Sequence, residues 1–319
     1  ILSYLLQFFG LVFREYYRQS NRRFFMPINF KYAEYCNHPL FEEWMLEIWD
    51  WMDNHDISNN SIPYDPKQLL ELESLDLSYG KSIKGIMEND EVVGEIIRES
   101  TKPLPAAIGN LKNLKYLRII GFNELPEEIA RLDNLETLVC LRCSFKQFPK
   151  VLCGLKNLKS LNILCKSLET LPDEFGNLSS LTMVDMRGSK IEYLPQSIGN
   201  LTNLEVFQLA ANEKLKGLPN SIGKLTNLKV LEIRASDLKT LPETIGNLTQ
   251  LKLPGLYGNK LNDLPSSITN LKALKLLDVR GNPLSNLSET SRQFLANLGD
   301  KLYTQQAEPS TRFPAHFIM

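Results

Sequence analysis

The stretch Leu194-Pro-Gln-Ser-Ile-Gly-Asn-Leu-Thr-Asn-Leu204 joins two copies of the repeated pattern that decides the fold. Written as L-x-x-L-x-L-x-x-N-x-L-x-x-L-P-x-x-I-G-x-L, the unit recurs in register along the chain. Recurrence with a period of about 20 to 50 residues is typical of repeat architectures. Nine units begin at Leu72, Leu114, Leu135, Leu158, Leu181, Leu204, Leu228, Leu251 and Leu274.

The spacing within the unit predicts its structure. The L-x-x-L-x-L part ends with a period of two, so it predicts a strand whose leucines share one face. The asparagine place, occupied by Asn212, Asn259 and Asn282, predicts a turn in which the amide bonds backbone groups without a strand partner. The L-P-x-x-I-G-x-L part returns the chain. One unit cannot bury its own apolar face, so the units are expected to stack with nine parallel strands.

This pattern resembles the leucine-rich repeat family, in the 23-residue class found in bacterial repeat proteins, Ras-pathway scaffolds and plant intracellular receptors. The resemblance implies an α/β fold, a curved horseshoe with a parallel sheet on its concave face and helical N-terminal and C-terminal caps. It also implies that the concave sheet binds a partner, usually a protein.

The repeat register divides the chain into three parts. Residues 1–71 are expected to form a helical N-terminal cap, and residues 288–319 a C-terminal cap and tail. Within the latter, a helix is predicted from Glu289 to Leu302, with Phe294, Leu295 and Leu298 facing inward. Residues 72–287 are expected to form a solenoid of about nine repeats with an insertion at 81–103. Pro254 stands at an apolar strand position of the eighth unit, and because proline has no N–H we expect a broken ladder there.

The N-terminal part allows two interpretations. Polar residues of 1–18 recur at helical spacing, which predicts either a cap helix or an amphipathic helix that contacts a membrane or a partner. A second helix is predicted over residues 39–52, with Asn37 or His38 as its cap. Its tryptophans, Trp44, Trp49 and Trp51, are interpreted either as a cover for the first strand or as a binding hot spot.

Composition narrows the function classes. Leucine accounts for 55 of 319 residues, and 36 basic residues nearly balance 37 acidic ones. This balance argues against a nucleic-acid partner, which is bound by neutralising phosphates. The three histidines, His38, His55 and His316, lie outside the repeats, so we predict no catalytic site, cofactor or metal. The five cysteines match no zinc spacing and indicate reduced thiols in a cytosolic setting.

The candidate binding residues occupy the outward positions of the strands. An apolar zone toward the N-terminus is expected to be covered either by a partner or by another part of the chain. In the charged zone that follows it, acids and bases of neighbouring strands are expected to pair with each other or with a partner. The predicted contact residues are Tyr116, Arg118, Ile120, Val139, Leu141, Arg142, Asn162, Leu164, Met183, Asp185, Arg187, Glu232, Arg234 and Tyr257.

The sequence therefore predicts a non-enzymatic module that binds a protein or peptide on its concave face, and a monomer. The caps favour a bacterial origin, with the protein in the cytoplasm or delivered as an effector into a host cell. The alternatives are a membrane-associated scaffold anchored by residues 1–18, and the recognition part of a larger enzyme or receptor.

Overall fold

A computed structural model describes residues 32, 35–54, 62–77, 84–88, 91–96 and 103–303. The chain divides into two compact units, residues 1–41 and 42–319. The first contains a short 3-10 helix, Tyr35–Asn37. The predicted helix over 1–18 and the tail beyond 303 lie outside the described residues. No helix in the described ranges is long and apolar enough to cross a membrane.

The second unit contains three α-helices and twelve strands among its described residues. The helices are α1 (Glu43–Asp53), α2 (Pro66–Leu70) and α3 (Glu289–Leu298). The strands are β1 (Ser74–Leu77), β2 (Lys84–Glu88), β3 (Glu91–Ile96), β4 (Tyr116–Ile120), β5 (Thr137–Leu141), β6 (Ser160–Leu164), β7 (Met183–Asp185), β8 (Val206–Gln208), β9 (Val230–Glu232), β10 (Leu253–Gly255), β11 (Leu277–Asp278) and β12 (Leu302–Tyr303).

One parallel sheet runs through all the repeats. Its strand order is β1, then β4 to β12 in sequence. Nine of these strands are those of the predicted units, and β12 follows α3 as a tenth. The solenoid prediction is therefore confirmed. The strands β2 and β3, inside the predicted insertion, form an antiparallel hairpin and pair with no other described strand.

The inward side chains of each strand make the core. In the unit that begins at Leu181, that leucine, Val184 and Met186 are fully buried. The outward Met183 between them is half-buried. Since full burial of one such side chain stabilises the fold by about 1.5–3 kcal/mol, the recurring leucines supply the main favourable contribution.

In the first eight units, the L-P-x-x-I-G-x-L part forms a 3-10 helix. In the fifth unit, Pro195 precedes the helix Gln196–Asn200, and Ile198 inside it is fully buried. Proline suits this place because its fixed φ is compatible with the turn and the first N–H groups of a helix have no internal partner. The equivalent helices are Ala106–Asn110, Glu127–Arg131, Lys150–Gly154, Asp173–Asn177, Asn220–Lys224, Glu243–Asn247 and Ser266–Asn270.

The glycine in these turns is required by close contact between repeats. A Cβ atom added at Gly223 would lie 2.5 Å from the carbonyl oxygen of Thr244 in the next repeat. Such an approach lies far inside van der Waals contact, so only glycine lets the turns stack at this separation.

The predicted role of the asparagines is confirmed: their amides bond backbone groups at the turns, and we call this set the asparagine ladder. The amide nitrogen of Asn259 donates to the carbonyl of Leu256 at 3.0 Å and to that of Ile233, in the preceding repeat, at 2.5 Å. Its amide oxygen accepts from the N–H of Leu238 at 3.2 Å. The side chain therefore satisfies three backbone groups where the strand ends. The same arrangement recurs at Asn212 and Asn282.

Pro254 disturbs the strand pairing on only one side of β10. Strand β10 pairs with β9 through Pro254 and Leu231, so the predicted break is wrong there. Toward β11 the pairing is reduced to Gly255 and Asp278. N–H groups of a parallel strand alternate between its two neighbours, and Leu256 donates to Asp278 at 2.8 Å. The N–H that Pro254 lacks would therefore face β11, where the ladder is shortened.

The predicted second helix begins later than the sequence suggested. Helix α1 starts at Glu43, after Glu42, rather than at residue 39. The predicted cap at Asn37 or His38 is wrong, because Nδ1 of His38 accepts from the N–H of Leu40, at 3.2 Å, in a turn before the helix.

Two of the three tryptophans are buried. Trp49 is fully buried. Trp51 donates its indole N–H to the carbonyl of Pro103 at 2.9 Å and stacks on Phe122 with ring centroids 6.3 Å apart. Both belong to the packing at the N-terminal end of the repeats, and Trp44 is half-buried.

The C-terminal helix is shorter and less buried than predicted. It ends at Leu298, before Gly299 with φ +53°. Ser291 is its one fully buried side chain. Phe294, Leu295 and Leu298, which were expected to face inward, are half-buried.

We expect Gly223→Ala to lower the free energy of unfolding by about 1–3 kcal/mol, because the new methyl group overpacks the contact with Thr244. The matched control is Gly217→Ala, where an added Cβ meets no atom within 4 Å. That variant should be unchanged within about 0.5 kcal/mol or slightly stabilised. Urea denaturation measures both, and equal losses would contradict the stacking argument.

Candidate functional site

Three rows of side chains cross the outer face of the sheet, at the third, fifth and seventh positions of the repeat. The pairing of β4 to β7 fixes which residues are neighbours. From β4 toward β7 the rows are Tyr116–Thr137–Ser160–Met183, Arg118–Val139–Asn162–Asp185 and Ile120–Leu141–Leu164.

The apolar row is the set Ile120, Leu141 and Leu164. These three side chains occupy directly paired positions on β4, β5 and β6, and each is half-buried. Their inward neighbours on the strands fill the core, so the fold does not need apolar residues here. The structure therefore brings the predicted apolar residues together on one face.

The arginines beside the apolar row differ in their settings. Arg118 on β4 pairs with Asp76 on β1, with Nη1 and Oδ2 3.2 Å apart. Arg142 is exposed and follows β5 with φ +54°. Positive φ is the usual place of glycine, and Gly121 holds the same position one repeat earlier with φ +78°. The side chain of Arg142 therefore leaves from the turn, at the rim of the face.

The charged half of the face is built from pairs within one strand. Nε of Arg187 lies 2.9 Å from Oδ1 of Asp185, and Nη2 lies 2.7 Å from Oδ2. Arg234 contacts Glu232, two residues before it, through the single pair Nε and Oε1. The expectation that acids and bases of neighbouring strands pair is wrong, because residues i and i+2 of a strand share one face and the acids stand on alternate strands. The third pair is Asp278 with Arg280 at 2.9 Å.

In the first two of these pairs, the acid lies beneath the arginine. The Asp185 and Glu232 residues are 1% and 3% exposed, whereas the side chains of Arg187 and Arg234 are 44% and 37% exposed. The prediction that Asp185 and Glu232 contact a partner directly is therefore corrected, since both are covered. What faces solvent is the guanidinium.

The surroundings of the two arginines shift their pKa values in opposite directions. Hydrogen bonding to the Asp185 carboxylate raises the pKa of the Arg187 guanidinium. Burial lowers the pKa of Arg234, as do the positive charges of Arg187 and Arg280, while Asp278 acts in the other direction. Arg234 therefore lies close enough to Arg187 and Arg280 to be repelled by both.

The sequence did not reveal the role of Gly255. A Cβ atom at this position would lie 2.9 Å from Oε1 of Glu232 on the neighbouring strand. Glycine therefore makes room for the buried carboxylate. Beyond it Tyr257 is 44% exposed, and the Arg280 guanidinium lies 5.4 Å from its ring centroid.

The described residues contain no group of three or more His, Cys, Asp or Glu side chains that could hold a metal ion. All five cysteines are free thiols. Four are buried in the repeats: Cys140, Cys143, Cys153 and Cys165.

We expect Asp185→Asn to lower the free energy of unfolding by about 1.5–3 kcal/mol, since it removes a charged hydrogen-bond acceptor from a buried site. Glu205→Gln is the control, because Glu205 pairs with Lys229 at 2.7 Å but both side chains are solvent-exposed. That change should cost no more than about 1 kcal/mol. Thermal or urea unfolding compares the two, and a smaller loss for Asp185→Asn than for the control would contradict the buried-pair description.

The repeats of this chain match a known family profile. No curated protein sequence matches the chain significantly. The profile of the family described as leucine-rich repeat region matches residues 97–181 and 151–251.

Several solved structures are similar. Listeria monocytogenes InlP has a TM-score of 0.56 at 20% identity, over 81% of this chain and 70% of that chain. The leucine-rich repeat ectodomain of the Arabidopsis thaliana receptor kinase GASSHO1/SCHENGEN3, in complex with CASPARIAN STRIP INTEGRITY FACTOR 2, has a TM-score of 0.50 at 22% identity, over 77% and 31%. The plant peptide hormone receptor RGFR1, in complex with RGF2, has a TM-score of 0.48 at 29% identity, over 56% and 30%.

The chain spans less than one third of the length of the two plant receptor chains. At these identities, the likenesses to InlP and to the GASSHO1/SCHENGEN3 ectodomain show the fold alone. Together with the profile match and the parallel sheet, they identify the repeats of this chain as a leucine-rich repeat solenoid.

Proposed function

We propose that the chain is a non-enzymatic interaction module that binds a protein or peptide on the outer face of its sheet. The observation that carries this proposal is the apolar row, Ile120, Leu141 and Leu164, which lies half-buried on three adjacent strands. Adjacent apolar side chains that the core does not need are a common mark of an interaction site.

The residues around the apolar row suit a protein surface. Val139 lies in the neighbouring row between Arg118 and Asn162, so polar groups stand on both sides of an apolar centre. An apolar centre with a polar rim is the usual anatomy of a protein interface.

We further propose the 23-residue repeat class, a cytoplasmic location and an effector role. The spacing of 21 to 24 residues between units after Leu114 supports the 23-residue class of repeat. The free thiols support a reducing compartment, hence the cytoplasm of the producing cell or of a host. A bacterial effector delivered into a host cell would meet the same reducing conditions in the host cytoplasm.

We expect Leu141→Asp and Leu164→Asp to weaken binding of peptides selected on this chain from a displayed random library by at least about tenfold, equivalent to about 1.4 kcal/mol. A charge in the apolar row would have to be desolvated on binding. Fluorescence anisotropy of the labelled peptides measures the affinity.

The matched control is Tyr193→Asp, which changes an apolar side chain that is 61% exposed and outside the three rows. It should leave the affinity unchanged, and melting curves of all variants confirm that they fold. Unchanged affinity in both leucine variants would overturn the proposed site.

A further inference from the structure

The seventh-position row continues past the apolar row with an arginine on every second strand. Beyond Leu164 it reads Arg187, Ala210, Arg234. Backbone hydrogen bonds hold these positions side by side. The N–H of Gly188 donates to the carbonyl of Ala210 at 2.9 Å. The N–H of Ala211 donates to the carbonyl of Arg234 at 2.7 Å.

Ala210 therefore forms the floor of a notch between two arginines. Neighbouring strands are about 4.8 Å apart, so Arg187 and Arg234 are separated by about 10 Å with only a methyl group between them. On the same strand, Gln208 lies two residues before Ala210 and is half-buried. In the next gap of this row, after Arg234, the exposed Tyr257 ring takes the place of the methyl group.

The charge of the notch is positive on its outer side. Nε and Nη2 of Arg187 hold the buried Asp185 beneath them. Nε of Arg234 contacts Oε1 of the buried Glu232. The acids thus fix the two guanidinium groups in place while the positive ends remain outermost. A carboxylate above Ala210 would contact both guanidinium groups, the donors that match carboxylate geometry best.

We propose that this notch binds a carboxylate side chain of the partner, in an extended segment whose apolar side chains lie on the apolar row. The inference rests on the proposed function. It specifies the partner as an acidic peptide segment, and the two arginines as the residues that select it.

The spacing of the row specifies the segment further. Ile120, Leu164 and Ala210 belong to the repeats of β4, β6 and β8. Each is therefore about 10 Å from the next. In a polyproline II helix, residues three apart share a face and are separated by about 9 Å. In a β-strand, residues two apart share a face at about 6.6 Å, which matches neither one nor two sheet spacings. The partner segment is therefore apolar-x-x-apolar-x-x-acidic, or its reverse.

The first test needs no partner. Removing Arg187 or Arg234 would leave a buried acid unpaired, so the change is made at the floor of the notch instead. We expect Ala210→Glu to melt at a higher temperature than Ala210→Gln, with a difference that shrinks as salt is added. The pKa of the introduced carboxyl, followed by NMR, should lie below the usual value of about 4.3. An equal or lower melting temperature for Ala210→Glu would overturn the notch.

The second test uses peptides selected on the full chain from a displayed random decapeptide library. The selected peptides should carry an acidic residue three positions from an apolar one. Replacing that acid by its amide should weaken binding at least about tenfold. This preference should vanish in Ala210→Glu, which fills the notch with a carboxylate of its own, and persist in Arg292→Gln, which changes an exposed arginine of α3.

The outcomes separate the notch from the proposed function. Peptides that depend on Leu141 but show no preference for an acid would overturn the notch and leave the proposed function standing. An acid preference that Ala210→Glu abolishes, in peptides insensitive to Leu141→Asp, would support the notch and contradict the apolar row as the binding centre.

Discussion

The structure depends on one constraint: no single repeat can bury its own apolar face. Each strand therefore lies beside the next in fixed register, and where the turn carries glycine the following turn approaches closely enough to exclude a Cβ, as Gly223 against Thr244 shows. The asparagine side chains close the strand ends by bonding backbone groups of two consecutive repeats. Register, turn geometry and core burial are thus consequences of the same stacking.

The same register arranges the outer face. Because every repeat presents its third, fifth and seventh residues at the same height, a residue type repeated at one position becomes a continuous row. This produces both the apolar row over β4 to β6 and the alternation of arginines with Ala210 and Tyr257 that follows it. The buried acids under Arg187 and Arg234 are the local device that keeps a charged side chain fixed on this face.

The sequence predicted the strands, the inward leucines and the asparagine ladder, because each depends on spacing alone. It failed where the outcome depends on contacts between neighbours. The start of α1 at Glu43 follows from a local turn around His38. Asp185 is buried because it pairs with Arg187, two residues further along the chain. The periodicity of the sequence does not predict which base an acid pairs with. The space for Glu232 depends on Gly255 in the next repeat, and a contact between two repeats cannot be predicted from spacing.

The central claim is that the apolar row is a binding surface and not part of the core. Methyl NMR of the full chain tests it most directly, by titration with a peptide selected on the protein. The account predicts that the largest shift changes fall on the methyl groups of Ile120, Leu141 and Leu164, with none on the leucines of α3. Unchanged methyl signals in the apolar row, with changes elsewhere in the repeats, would contradict it.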